Sequence, residues 1–246
     1  MNKLNVGSLS KYKDYLVIDG ENEKLVFSTA EKGRNFNRHT EDGIRTIESI
    51  KEEFNVEDII YLRQVHSDRV LIFKGDNREE FIEEEGDSLI TNIKNIAIGV
   101  FTADCVPVIL VDEAKGVAAA IHSGWKGTFN SITKKTIEKM QNVYGSQSSD
   151  IKAYIGGHIR QCCYEVSEEL KSKFINEKNI DENILFNGRN LSMEECIIDN
   201  LKEVGIKDDN INSLSLCTYC SEDIKLHSYR KSEGSYGRLF SFVILK

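Results

Sequence analysis

Three side chains able to bind a metal or act as nucleophiles stand at the ends of apolar runs. Cys105 follows the run 96–102 inside TADCVP, His122 ends the run 117–121 inside AAIHSGWKGT, and His66 follows the run 58–62 inside RQVHSDRV. Such β-branched runs read as buried strands. A thiol and two imidazoles brought together by three strand ends make three protein ligands with a fourth position open, the usual arrangement for catalytic zinc. Their spacing matches no local zinc-finger pattern. The same residues also fit a cysteine hydrolase, with Cys105 as nucleophile, His122 as its base and Asp104 or His66 orienting the pair. A third reading is structural, with Cys105 a small buried hydrophobe and the histidines polar core groups. The three readings remain open at this level.

Other groups gather around this trio in sequence. Asp104 is placed to accept a hydrogen bond from a ligand histidine, to act as a general base, or to cap a turn. Gln64 shares a face with His66 if the segment is extended. The segment HSGWKGT leads into a helix expected over 129–143 with Thr128 as N-cap. Free backbone N–H groups and the positive dipole end there would form an anion site, with Lys126 adding charge. The segment lacks the Walker spacing and is equally a tight connecting loop. Trp125 can stack on a base or simply pack. Ser228-Tyr-Arg-Lys231, close to Gly234 and Gly237, lies over a pocket or in solvent. His39, His158 and His227 have no comparable sequence partners and are expected on the surface or in loops.

The positioning elements follow from periodicity. A hairpin over 15–18 and 24–28 turns at Asp19-Gly20. A helix over 41–54 places Ile44, Ile47, Ile50 and Phe54 on one side. Strands are expected over 58–62, 70–73, 87–91, 96–102, 108–111, 117–121, 151–155, 214–216 and 239–245. The acidic stretch 75–86 reads as a solvated loop or short helix. Ser167 caps a helix reaching Phe174, and Ser192-Met-Glu-Glu195 is a capping box opening a second helix that stops at Gly205. Strands and helices alternate without the even spacing of a doubly wound sheet. The expectation is one α/β (α+β) domain with mixed sheets over residues 1–246.

With 246 residues, the chain can bury a sizeable core. A net charge of −8 argues against a nucleic-acid or anionic-membrane surface as its main role. No signal-peptide h-region and no apolar run of about 18 residues is present, so a cytoplasmic location is expected. No feature points to a protein partner. The six cysteines are expected to be reduced. Cys217-x-x-Cys220 is a single pair, and adjacent Cys162-Cys163 has the wrong spacing for a second zinc-ribbon knuckle, so no structural zinc is expected there.

From about residue 60 onward the strings QVHSDRV, GDSLITN, FTADCVPVILVD, AAIHSGWKGT, IGGHIRQCCYEV, LCTYC and SYRKSEGSYGR occur in order. Together they resemble the YfiH/YlmD-type proteins, also called laccase-domain or polyphenol oxidase proteins and related to human FAMIN. The resemblance implies a four-layer α/β/β/α arrangement. It also implies a metal, usually zinc with copper as the older alternative, on His66, Cys105 and His122. The implied chemistry is phosphorolysis of adenosine, inosine and methylthioadenosine, with adenosine deamination besides. Purine nucleoside and phosphate are then the partners, and copper-dependent phenol oxidation or muropeptide editing are the alternatives. Carried onto this chain, the catalytic set is Cys105, His122, His66 and Asp104. The substrate-binding set is Arg45, Gln64, Lys126 and Arg230. The chain departs from the family pattern at Ala30-Glu-Lys-Gly33, at the Asn-Arg of the first helix, where only Arg45 matches, and at His158, which is commonly small.

Overall fold

The computed structural model describes residues 1–232 and 237–246, so Gly234 lies outside the described residues. Two mixed sheets stack face to face. The first has seven strands in the order Asn2–Lys3, Ile211–Ser213, Ile151–Ile155, Val106–Asp112, Val117–Ser123, Ser88–Thr91 and Val70–Ile72. The second has six, in the order Ser10–Tyr12, Tyr15–Asp19, Glu23–Ser28, Leu239–Leu245, Ile96–Thr102 and Asp58–Ile60. Both combine antiparallel and parallel pairs.

The strands Ile96–Thr102, Val106–Asp112 and Val117–Ser123 are buried at every position. That explains their unbroken apolar character, because both faces are covered. Alternate residues serve alternate layers. Ile109, Val111, Ala118 and Ala120 meet Leu25, Phe27 and Ile98 between the sheets. Val108, Leu110, Ala119 and Ile121 instead meet Ile137, Met140, Ile197 and Leu201 of the helices Ile132–Tyr144 and Met193–Glu203. On the far side, Val26, Ala97, Phe240 and Phe242 pack on Ile47 and Ile50 of the helix Glu41–Phe54. The result is the expected order of helix, sheet, sheet and helix layers.

Local chemistry sets most of the element ends. The Thr40 hydroxyl accepts from the Gly43 N–H, and Asn55 closes the same helix in the left-handed region at φ 53°. Ser192 accepts from the Glu195 N–H at 3.3 Å, as its capping box predicts. Three expectations are corrected. The helix expected from residue 129 starts at Ile132, because Ser131 takes φ 58° and breaks it from a separate short helix, Trp125–Phe129. Thr128 is therefore no N-cap, and its hydroxyl meets that of Ser123 at 2.8 Å. The strand expected over 214–216 lies at Ile211–Ser213, because Ser215, at φ 53°, turns the chain away from the sheet.

The chain changes sheets between Thr102 and Val106. Ala103, Asp104 and Cys105 form that corner, with Asp104 at φ 88°. The corner brings Cys105 to the sheet end where His122 also arrives.

Candidate functional site

The site is built on the Asp87 carboxylate, which is almost wholly buried. It accepts the backbone N–H groups of Val65, His66 and Ser67 at 3.3, 3.0 and 2.6 Å, and the Ser67 hydroxyl at 2.7 Å. These bonds hold His66 in the left-handed region at φ 57°, a conformation that needs such support. Asp87 also meets His122 Nδ1 at 2.7 Å. An ionised carboxylate can only accept, so Nδ1 carries the proton and Nε2 is left for a ligand.

The ligand atoms of His66, Cys105 and His122 all lie within 4.8 Å of one another. His66 Nε2 and Cys105 Sγ are 3.7 Å apart, and the two imidazole rings stand edge to face at 4.8 Å between centroids. Tetrahedral zinc, with Zn–N about 2.05 Å and Zn–S about 2.3 Å, sets nitrogen and sulfur about 3.6 Å apart. The donor set therefore fits such an ion. Gly124 makes the approach possible, because a Cβ there would lie 2.8 Å from His66 Cδ2 and 3.0 Å from Cys105 Sγ.

Charge is shared across the trio. Burial pushes the Cys105 thiol up, but the His122 and His66 rings outweigh it and bring the thiol down to about 6. Burial likewise opposes a charged His122, yet Cys105 and the Asp87 carboxylate raise it to about 9. Burial would raise Asp87 too, but the bonds from His122 and Ser67 hold it below the usual carboxylate range. The protein on its own thus pairs a thiolate with an imidazolium, and an ion bound there displaces the His122 proton.

The trio opens into a cavity of about 440 Å³, within the usual range of small-molecule sites. Four arginines line it: Arg38, Arg63, Arg230 and Arg238. Phe101, Trp125, Tyr164 and Tyr229 add aromatic surface. The Arg230 guanidinium lies over the Tyr164 ring at 5.4 Å.

Several residues picked out in the sequence have other places in the structure. Asp104 lines the cavity but does not orient a ligand histidine. Its carboxylate accepts from the Thr218 hydroxyl at 2.6 Å and the Arg230 N–H at 2.7 Å, and so ties the tail to the corner. Gln64 lines the cavity, yet both ends of its amide are bonded to the Phe101 backbone at 2.8 Å. Arg45 is exposed, paired with Asp42 on the helix surface, and does not line the cavity. Lys126 does not line it either, and its ammonium sits 5.6 Å from the Trp125 ring centre. His158 is buried rather than superficial, with Nδ1 2.9 Å from the Gly156 carbonyl. His227 is partly buried on the Arg34 carbonyl, while exposed His39 borders the cavity.

Sequence reasoning missed Asp87, Arg38 and Tyr164. Asn37 and Arg38, just ahead of the first helix, both line the cavity.

A family model described as multi-copper polyphenol oxidoreductase laccase matches residues 24–246. A Clostridium acetobutylicum protein named purine nucleoside phosphorylase is 45% identical over 243 residues, covering 99% of this chain and 100% of the relative. A protein from an unknown prokaryotic organism, named adenosine deaminase, is 33% identical over 206 residues, covering 78% of this chain and 77% of the relative. Among solved structures, the hypothetical protein YfiH of Bacillus licheniformis superposes with a TM-score of 0.87 at 26% identity, covering 96% of this chain and 97% of that one. From fold, motif order and near-complete coverage together, the chain belongs to the laccase-like family of YfiH- and YlmD-type proteins.

Proposed function

We propose that this protein is a zinc-dependent purine nucleoside phosphorylase acting on adenosine, inosine and methylthioadenosine, with adenosine deamination as a second activity. The observation that carries the reading is the His66, Cys105 and His122 set opening into a cavity with four arginines and several aromatic rings. The names of the relatives point the same way. The proposed setting is the cytoplasm, which suits six cysteines with no disulfide among them.

Zinc held by the trio supplies Lewis-acid polarisation of a substrate or water oxygen. The chain's own residues do the rest. Asp87 fixes the His122 tautomer and the turn carrying His66. The guanidinium groups offer charged, forked donors for phosphate. Tyr164 and Phe101 offer faces for a purine. Asp104 acts as a positioning residue by holding the backbone of Arg230. In phosphorolysis a phosphate oxygen bonds to ribose C1′ as the C1′–N9 bond breaks, and the purine leaves with that electron pair and takes up a proton. In deamination water adds at C6 and ammonia leaves.

The test supplies adenosine with and without phosphate. Adenine and ribose 1-phosphate are expected with phosphate, and inosine and ammonia without it. A His66→Ala, Cys105→Ala double variant is expected to lose both activities, and parent-level turnover in it contradicts the reading.

A second reading rests on the lowered Cys105 thiol beside His122, which Asp87 orients. That is the arrangement of a cysteine hydrolase, with a muropeptide as one candidate substrate. It expects activity to survive a chelator and to fall with iodoacetamide. Zinc bound at His66, Cys105 and His122 in the active protein contradicts it, because a zinc-bound thiolate is a blunted nucleophile. Copper remains the alternative ion at the trio. The two donor sets among the described residues, two nitrogens with one sulfur and four sulfurs, are not the nitrogen-rich sets of Cu(II) centres.

A further inference from the structure

The spacing of Cys162, Cys163, Cys217 and Cys220 in sequence gave no reason to expect a second metal, but the fold gathers them. The sulfurs of Cys162, Cys163, Cys217 and Cys220 all lie within 4.8 Å of one another. We propose that these four thiolates bind a second, structural zinc ion that braces one wall of the cavity.

The geometry carries the proposal. Two sulfurs bound to one tetrahedral zinc at about 2.3 Å lie about 3.8 Å apart, and Cys162 Sγ and Cys220 Sγ are 3.6 Å apart. That is far beyond a disulfide bond of about 2.05 Å. Four sulfurs in such a set select zinc or iron–sulfur chemistry over copper, calcium or magnesium. A closed set of four protein ligands with no open position marks a structural rather than a catalytic site.

The backbone is shaped as a ligand knuckle. Residues 217–221 form a tight turn, with the Ser221 N–H on the Cys217 carbonyl at 3.0 Å and the Cys217 N–H on the Ser221 hydroxyl at 3.1 Å. A second turn, from Arg160 to Tyr164, presents Cys162 and Cys163 to the first. Adjacent cysteines can both serve because they lie on a turn rather than a strand, where neighbouring side chains would diverge.

The placement explains what the ion does. Thr218, inside the knuckle, holds the Asp104 carboxylate, and Tyr164, directly after Cys163, lines the cavity. An ion on the four sulfurs locks together the two turns that carry these residues. Binding releases the thiol protons to solvent.

The experiment is elemental analysis of full-length protein without a polyhistidine tag, coupled to cobalt(II) spectroscopy. With both sites filled, about two zinc ions per chain are expected, falling to about one in Cys162→Ser, Cys220→Ser and to about one in His66→Ala, Cys105→Ser. The latter variant retains all four cysteines. After metal removal it is expected to take up cobalt(II) with intense sulfur-to-metal charge-transfer absorption, which still reads the site if the cysteine variant fails to fold. Iron in place of zinc, a disulfide among the four cysteines in native protein, or no cobalt uptake by His66→Ala, Cys105→Ser overturns the proposal. None of these readouts uses turnover, so failure of the nucleoside reading leaves them unchanged.

Discussion

The Asp87 carboxylate joins three backbone N–H groups, a hydroxyl and His122 Nδ1. Replacing it with Asn keeps the shape but removes the charge that orients two ligands. Asp87→Asn is therefore expected to weaken zinc binding at the trio by about 10–100-fold, measured by competition with a chromogenic chelator. Unchanged affinity contradicts the assigned role. Asp87 was hard to recognise in sequence. It stands where the acidic stretch 75–86 gives way to the strand expected over 87–91, and nothing local shows that its carboxylate turns inward. His66, Cys105 and His122 were visible because polar ligand types interrupt apolar runs. Asp104 was visible for the same reason, but its role was not. At φ 88° its side chain leaves the trio for Thr218 and the Arg230 backbone.

Among the elements, the turn from the Val117–Ser123 strand into the Trp125–Phe129 helix carries the tightest steric demand at the site. Gly124→Ala would place a Cβ 2.8 Å from His66 Cδ2 and 3.0 Å from Cys105 Sγ. This variant is expected to lose the metal at the trio while retaining its far-ultraviolet circular dichroism, with elemental analysis and spectroscopy read on one sample. Full metal content contradicts the close-approach argument. The helix Glu41–Phe54 and the strand Leu239–Leu245 were readable to the residue, because caps and continuous patterns mark their ends. The helix break at Asn130-Ser131 was not, because nothing in FNSIT forces Ser131 into the left-handed region. The gathering of Cys217 and Cys220 with Cys162 and Cys163 was not readable, because CTYC is a single pair in sequence and the other two cysteines meet it only through a contact across the fold.

For the whole molecule, the two-sheet stack depends on pairings far apart in sequence. Leu239–Leu245 lies between Glu23–Ser28 and Ile96–Thr102, and periodicity alone cannot supply that order. The four-layer arrangement was legible only through the resemblance. A polar cluster fastens the outer helix to the second sheet. Glu53 takes bonds from Arg34 at 3.1 Å, Lys13 at 2.9 Å and the Tyr15 hydroxyl at 2.9 Å. Burial pushes the Glu53 carboxyl up, but these bonds outweigh it and hold it below its usual range. A carboxylate lowered in the folded state adds stability above its unfolded value of about 4.3, and that stability is lost as pH falls through the folded value. Glu53→Gln is thus expected to cost about 2 kcal/mol at neutral pH, with the deficit shrinking in acid below the ordinary carboxylate range. Urea unfolding of parent and variant across pH checks this, and a deficit independent of pH contradicts it.

On the proposed function, His66, Cys105 and His122 hold the ion on which nucleoside phosphorolysis depends. The most direct measurement is phosphate-dependent release of adenine from adenosine by metal-stripped protein as zinc is titrated in, beside a His66→Ala variant. The stripped parent is expected to be silent and to recover fully with zinc, while the variant stays silent throughout. Parent-rate turnover by the stripped protein, or by the variant, contradicts the account.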